Sequence, residues 1–73
     1  MLFYTWMIKK YLKDNSVKGI LARSMKAEKN GFPKRRRLKT LIGYLEHQGA
    51  SQEVMDALVE CWEEYEKNER ENH

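Results

Sequence analysis

The stretch LKTLIGYLEHQGAS, Leu38 to Ser51, decides the class of fold. Leu38, Leu41, Ile42 and Leu45 follow the i, i+3, i+4, i+7 spacing that lines one face of an α-helix. Gly49 then supplies a natural helix stop, and Ser51 offers its hydroxyl as the N-cap of a further helix. One helix therefore ends and another begins within a few residues.

Working outward, the same period recurs. Downstream, Val54, Leu58, Cys61, Trp62 and Tyr65 form the apolar stripe of a fourth helix, with Glu60, Glu63, Glu64 and Lys67 outside it and Glu53 in its first turn. Upstream, Phe3, Met7 and Tyr11, flanked by Tyr4 and Ile8, predict a first helix over Leu2–Lys13, with Trp6 on its flank. Asp14, Asn15 and Ser16 are capping residues, and Val17, Leu21 and Met25 predict a second helix over Val17–Lys29, its first turn weakened by Gly19. Asn30-Gly31 and Pro33 end that helix, through residues that tolerate positive φ and one that cannot continue a helix. The third helix is predicted over Arg35–Gln48. The expected architecture is all-α, a compact four-helix bundle with short connections. It is placed on residues 1–68, with a frayed polar tail at 69–73.

Composition narrows the chemistry. A chain of 73 residues makes one domain and buries only about 60% of its unfolded surface. Cys61 is the lone cysteine and His47 and His73 the only histidines, too few for a zinc quartet or a disulfide framework. Neither a metal nor a cofactor is expected. There is no apolar run of membrane-spanning length, and the opening MLFYTWMIKKYLK lacks a basic leader and a cleavage site. The expected location is cytoplasmic.

Charge is divided sharply. Residues 1–40 carry twelve Lys and Arg against Asp14 and Glu28, leaving +10, whereas residues 41–73 carry two against nine acids, leaving −7. Such asymmetry points to a charged partner or a self-complementary surface.

Several fragments resemble the YozE family of small bacterial proteins with a sterile-alpha-motif-like (SAM-like) fold: FYTW at Phe3–Trp6, KGILA at Lys18–Ala22, FPK at Phe32–Lys34, YLE at Tyr44–Glu46 and WEEY at Trp62–Tyr65. The resemblance implies a four-helix SAM-like domain of Gram-positive bacteria and their mobile elements, and implies no reaction, cofactor or catalytic residue. The family usually follows Phe-Pro-Lys with hydroxylated or acidic residues, which suit a helix start. Here Arg35, Arg36 and Arg37 stand instead, Gly31 reads as inserted, and the segment from Lys34 to Tyr44 is one residue short.

Those arginines are the candidate site. Projected on the predicted helix, Arg36, Gly43 and His47 lie opposite the apolar stripe, Arg35 and Lys39 on one flank and Arg37 on the other. Cations in a first helical turn oppose the macrodipole at about 0.3–1 kcal/mol each. Phosphates would remove that penalty, because guanidinium forks match phosphate oxygens. Lys34, Arg35, Arg36, Arg37, Lys39, Gly43 and His47 are therefore the expected partner-binding residues, with nucleic acid as the expected partner. The alternative is an acidic protein partner, or head-to-tail self-association in which one copy's acidic fourth helix meets another's basic third. Lys9, Lys10, Lys13, Lys18, Lys26 and Lys29 extend the patch if they share its face. Tyr4, Trp6 and Tyr11 are read as core, and the acids from Glu60 to Glu71 as a solvated face. Cys61 sits on the apolar stripe and His47 outside it, so no nucleophile pair is expected and the protein is read as a non-enzymatic binding module without a small-molecule substrate.

Overall fold

The computed structural model describes residues 1–28, 30–35 and 37–71. Four helices follow in order, α1 over Phe3–Tyr11, α2 over Val17–Ala27, α3 over Leu38–His47 and α4 over Gln52–Glu71. The longest, α4, is the spine on which the other three pack. Of the helices, α3 touches α4 alone, while α1 also lies against α2. No strand occurs among the described residues.

The periodic stripes become the core. Met7 of α1, Leu21 and Met25 of α2, Leu41 of α3 and Leu58 and Cys61 of α4 are fully buried. Phe32, 5% exposed, bridges α1 and α3, its ring 5.9 Å from that of Tyr4 and 5.5 Å from that of Tyr44. Burying a phenylalanine contributes about 1.5–3 kcal/mol, a large share for a domain this small. At the other end, Phe3, Trp6, Trp62 and Tyr65 form an aromatic cluster with centroid separations of 5.0 to 6.0 Å. Trp6, at the flank of the α1 stripe and read as core, is buried within this cluster.

The α3–α4 corner has the predicted chemistry. Gly49 adopts φ 79°, its N–H bonds the Glu46 carbonyl at 3.0 Å and that of Ala50 bonds the Leu45 carbonyl at 3.0 Å. This is a Schellman ending, which only glycine enters without strain. Ser51 Oγ accepts from the Val54 N–H at 3.4 Å, opening α4.

The α1–α2 corner is built differently from the expectation. Gly19 is buried, and a Cβ there would overlap the Asp14 carbonyl, 2.7 Å from its carbon and 3.1 Å from the Tyr11 carbonyl oxygen. Far from merely weakening α2, the glycine lets it press on the end of α1. Arg23 completes the corner, its guanidinium donating to the Leu12 and Asp14 carbonyls at 2.9 Å each. These are orphan acceptors at a helix C-terminus, where a cation is favourable.

Other boundaries shift as well. Asn30-Gly31 ends α2 without a positive φ, because the N–H groups of Gly31 and Phe32 fold back onto the Glu28 carbonyl at 2.9 and 2.8 Å. Residues expected to fray from 69 instead continue α4 as far as Glu71, and Glu69 pairs with the Met1 amine at 3.1 Å. Tyr65 also donates its hydroxyl to the Met1 carbonyl. Lys29, Arg36, Asn72 and His73 lie outside the described residues.

Candidate functional site

The basic run does not begin α3. That helix starts at Leu38, with Arg37 in the N-cap position at φ −84° and ψ 170°. The chain is anchored at both ends of the segment, by buried Phe32 and by the stripe starting at Leu38, and residues between must cross from one anchor to the other. The projection that put Arg35 and Lys39 on one flank and Arg37 on the other therefore fails for the arginines, which precede the helix. Arg36 lies outside the described residues. Lys39 is an exposed residue of the first turn of α3.

The change of place makes the electrostatics plainer. Arg37 makes no side-chain cap, and no acid stands in the first turn of α3. The positive end of the helix thus carries Arg37 as its N-cap and Lys39 in its first turn, with Lys34 and Arg35 shortly before them in the chain. None of these four has a carboxylate within ion-pair distance among the described residues. Lys34 instead places its Nζ 4.9 Å from the centre of the Tyr4 ring.

Lys34, Arg35 and Arg37 come together along a groove of about 610 Å3. Its opposite side is one face of α4, where Glu66, Glu69 and Arg70 follow Trp62 and Tyr65 at helical spacing. Gly43 and His47 are exposed on α3 but do not line this groove. The structure brings three of the candidate residues together and leaves Gly43, His47 and Lys39 apart. The acids of α4 near the arginines were legible only as a solvated face, because nothing local in the sequence says that the loop crosses that end of α4.

A second polar cluster, unforeseen as a unit, sits on the far side of the aromatic cluster. Tyr11 donates its hydroxyl to Glu64 at 2.7 and 2.9 Å. Lys10 and Lys18 reach the same carboxylate at 2.9 and 3.0 Å. Partial burial alone would push the Glu64 carboxyl up, but the hydrogen bonds from Tyr11, Lys10 and Lys18 outweigh it and hold the group at about 2. Burial and the bond to Glu64 push the Tyr11 hydroxyl up to about 12. Lys10 also stands 5.2 Å over the Trp6 ring. Two of the lysines expected to extend a basic patch are thus held within the fold, and Glu64 leaves the solvated face.

Burial pushes the Cys61 thiol up to about 11, so it stays protonated in the core. No group of three His, Cys, Asp or Glu is placed to hold a metal among the described residues.

The fragments FYTW, KGILA and WEEY therefore converge in space. Phe3, Trp6, Trp62 and Tyr65 make the aromatic cluster, while Lys18 and Glu64 form a pair, and Gly19 sets the corner. A family description, the YozE SAM-like fold, matches residues 3–67. The chain belongs to the YozE SAM-like family. No curated protein and no solved structure matches it. The match to the YozE SAM-like fold spans the core, the α1–α2 corner, the Glu64 cluster and the arginine loop alike.

Proposed function

We propose that this chain is a non-enzymatic cytoplasmic binding module whose loop Lys34–Arg37 engages the phosphates of a nucleic acid. One observation carries the reading. At the N-terminus of α3, already the positive end of a dipole, Arg37 is the N-cap and Lys39 lies in the first turn, with Lys34 and Arg35 just before them in the chain and no carboxylate in ion-pair distance of the four among the described residues. Some cations elsewhere are matched, with Glu64 serving Lys10 and Lys18 and carbonyl oxygens serving Arg23. Lys9, Lys13, Lys26 and Lys67, like the loop cations, have no carboxylate in ion-pair distance among the described residues. What sets the loop apart is its place at a helix N-terminus. A cation placed at an N-cap costs stability, and phosphate oxygens supply the missing partner. No described helix is long and apolar enough to cross a membrane.

Titration of labelled DNA and RNA, single-stranded and duplex, at about 50 mM salt tests this. Binding is expected, with log K falling against log[salt] at a slope of about −2 to −4 for three or four phosphates neutralised. The Arg35/Arg36/Arg37→Ala variant should stay folded and lose most of that affinity. Absence of binding to every probe would sink the reading.

The acidic face of α4 favours one competitor. Glu53, Asp56, Glu60 and Glu63 are exposed at spacings of three and four, and among the described residues only Glu60 of these meets a cation, Lys18 at 3.9 Å. A second copy's arginine loop matches that stripe in charge. A mass that rises with concentration up to about 1 mM and collapses on Arg36→Glu, without nucleic-acid binding, would favour self-association instead.

A further inference from the structure

The groove beside the arginine loop carries both signs of charge, and that restricts the kind of nucleic acid it accepts. We propose that it is built for unpaired nucleotides and discriminates against duplex, an inference that rests on the phosphate-binding reading above. Lys34, Arg35 and Arg37 line it from the loop, and Glu66, Glu69 and Arg70 line it from α4 together with Trp62 and Tyr65. Its α4 side thus holds the only carboxylates among its lining residues, with one cation beside them. Both aromatic residues are only partly buried, so some ring surface remains open to the groove. Glu69 is engaged by the Met1 amine at 3.1 Å. Glu66 is exposed, with no cation in ion-pair distance among the described residues.

A duplex meets this arrangement badly. Its phosphates are carried on two rigid strands, and seating one strand on Arg35 and Arg37 brings negative charge toward the carboxylates of α4. Its base faces are stacked on one another and unavailable to the rings. A single strand separates the two requirements. Its phosphates stay along the arginine side, while an unstacked base turns inward, lays a face against an aromatic side chain and donates an amino hydrogen to the Glu66 carboxylate. The exocyclic amines of cytosine, adenine and guanine are suitable donors, and carboxylates accept from them. The acid that looks out of place beside an arginine cluster is then the part that distinguishes an unpaired base from a backbone.

The test is fluorescence anisotropy at about 50 mM salt with one labelled oligonucleotide, alone and annealed to its complement. The single strand should bind about tenfold more tightly, the scale of one stacked base. Glu66→Lys, a change at an exposed position, should raise duplex affinity and bring the ratio close to one. Equal or tighter duplex binding by the unaltered protein would overturn the inference while leaving phosphate binding intact. A ratio unmoved by Glu66→Lys would overturn it as well. Failure to bind either probe would overturn this inference and the phosphate-binding reading together.

Discussion

Gly19→Ala should lower the melting temperature by more than about 15 °C or leave the chain unfolded, while Gly43→Ala should raise it by a few degrees. The two substitutions are chemically identical and both sit inside helices, where alanine is favoured over glycine by about 0.5–1 kcal/mol. Their surroundings set the sign. At Gly43 an added Cβ meets nothing within 4 Å, so the propensity gain is realised. At Gly19 it would overlap the Asp14 carbonyl and crowd that of Tyr11. These are backbone atoms, and Arg23 holds the Asp14 carbonyl from the other side. Relief requires α1 and α2 to separate, which opens the packing around Leu21 and Met7. A penalty of about 3–5 kcal/mol is comparable with the whole stability of a domain this size. Thermal melts by circular dichroism decide it, and a Gly19→Ala protein melting within about 3 °C of the parent would refute the account of the corner.

Replacing Glu64 should have the next largest effect, and one that depends on pH. Glu64→Leu strands the Tyr11 hydroxyl and two ammonium groups, at about 2–3 kcal/mol. Glu64→Gln keeps an acceptor for Tyr11 and loses the charge, and should cost about half as much. The carboxyl is at about 2 in the folded protein against an ordinary 4.5. Its stabilising contribution is therefore complete above about pH 4.5, declines as the pH falls and is gone near pH 2, where the folded form also takes up the proton. Because about a third of the side chain is exposed, solvent screening limits the effect to about 1–2 kcal/mol. Urea unfolding at pH 7 and near pH 2.5 should show the advantage over Glu64→Gln shrinking in acid. A difference constant with pH would mean that the charge contributes nothing.

What could be read from the sequence followed from distance along the chain. The stripes through Leu41, Leu58 and Met7 were legible because helical periodicity is local, and so were the Gly49 stop and the Ser51 cap. The roles of Gly19, Glu64 and Arg23 were not, since each is defined by a partner elsewhere. Gly19 looks like a helix defect until the Asp14 carbonyl is set against it. Glu64 reads as one surface acid among many until Tyr11, 53 residues away, donates to it. The start of α3 was misplaced by three residues. The arginines look like a first turn when only Pro33 and Leu38 are considered, but Arg37 is extended as the N-cap and the helix starts at Leu38. The candidate arginines themselves were visible as a run. The groove they share with Glu66 and Glu69 was not, because it joins a loop to the end of a helix about thirty residues later.

The central claim is that the loop arginines serve a partner at the expense of the fold. It is tested most directly by thermal melts of the parent and of Arg35→Ala/Arg37→Ser, each with and without a single-stranded oligonucleotide. Arg37 already holds the extended geometry of an N-cap without making the bond, so serine there should add about 1 kcal/mol and raise the melting temperature of the free protein by about 4–8 °C. Bound oligonucleotide should raise the parent's melting temperature and move the variant's far less, since ligand that binds only the folded state stabilises it by mass action. A variant that melts below the parent, with an oligonucleotide shifting neither protein, would contradict the claim and return the arginines to a structural role.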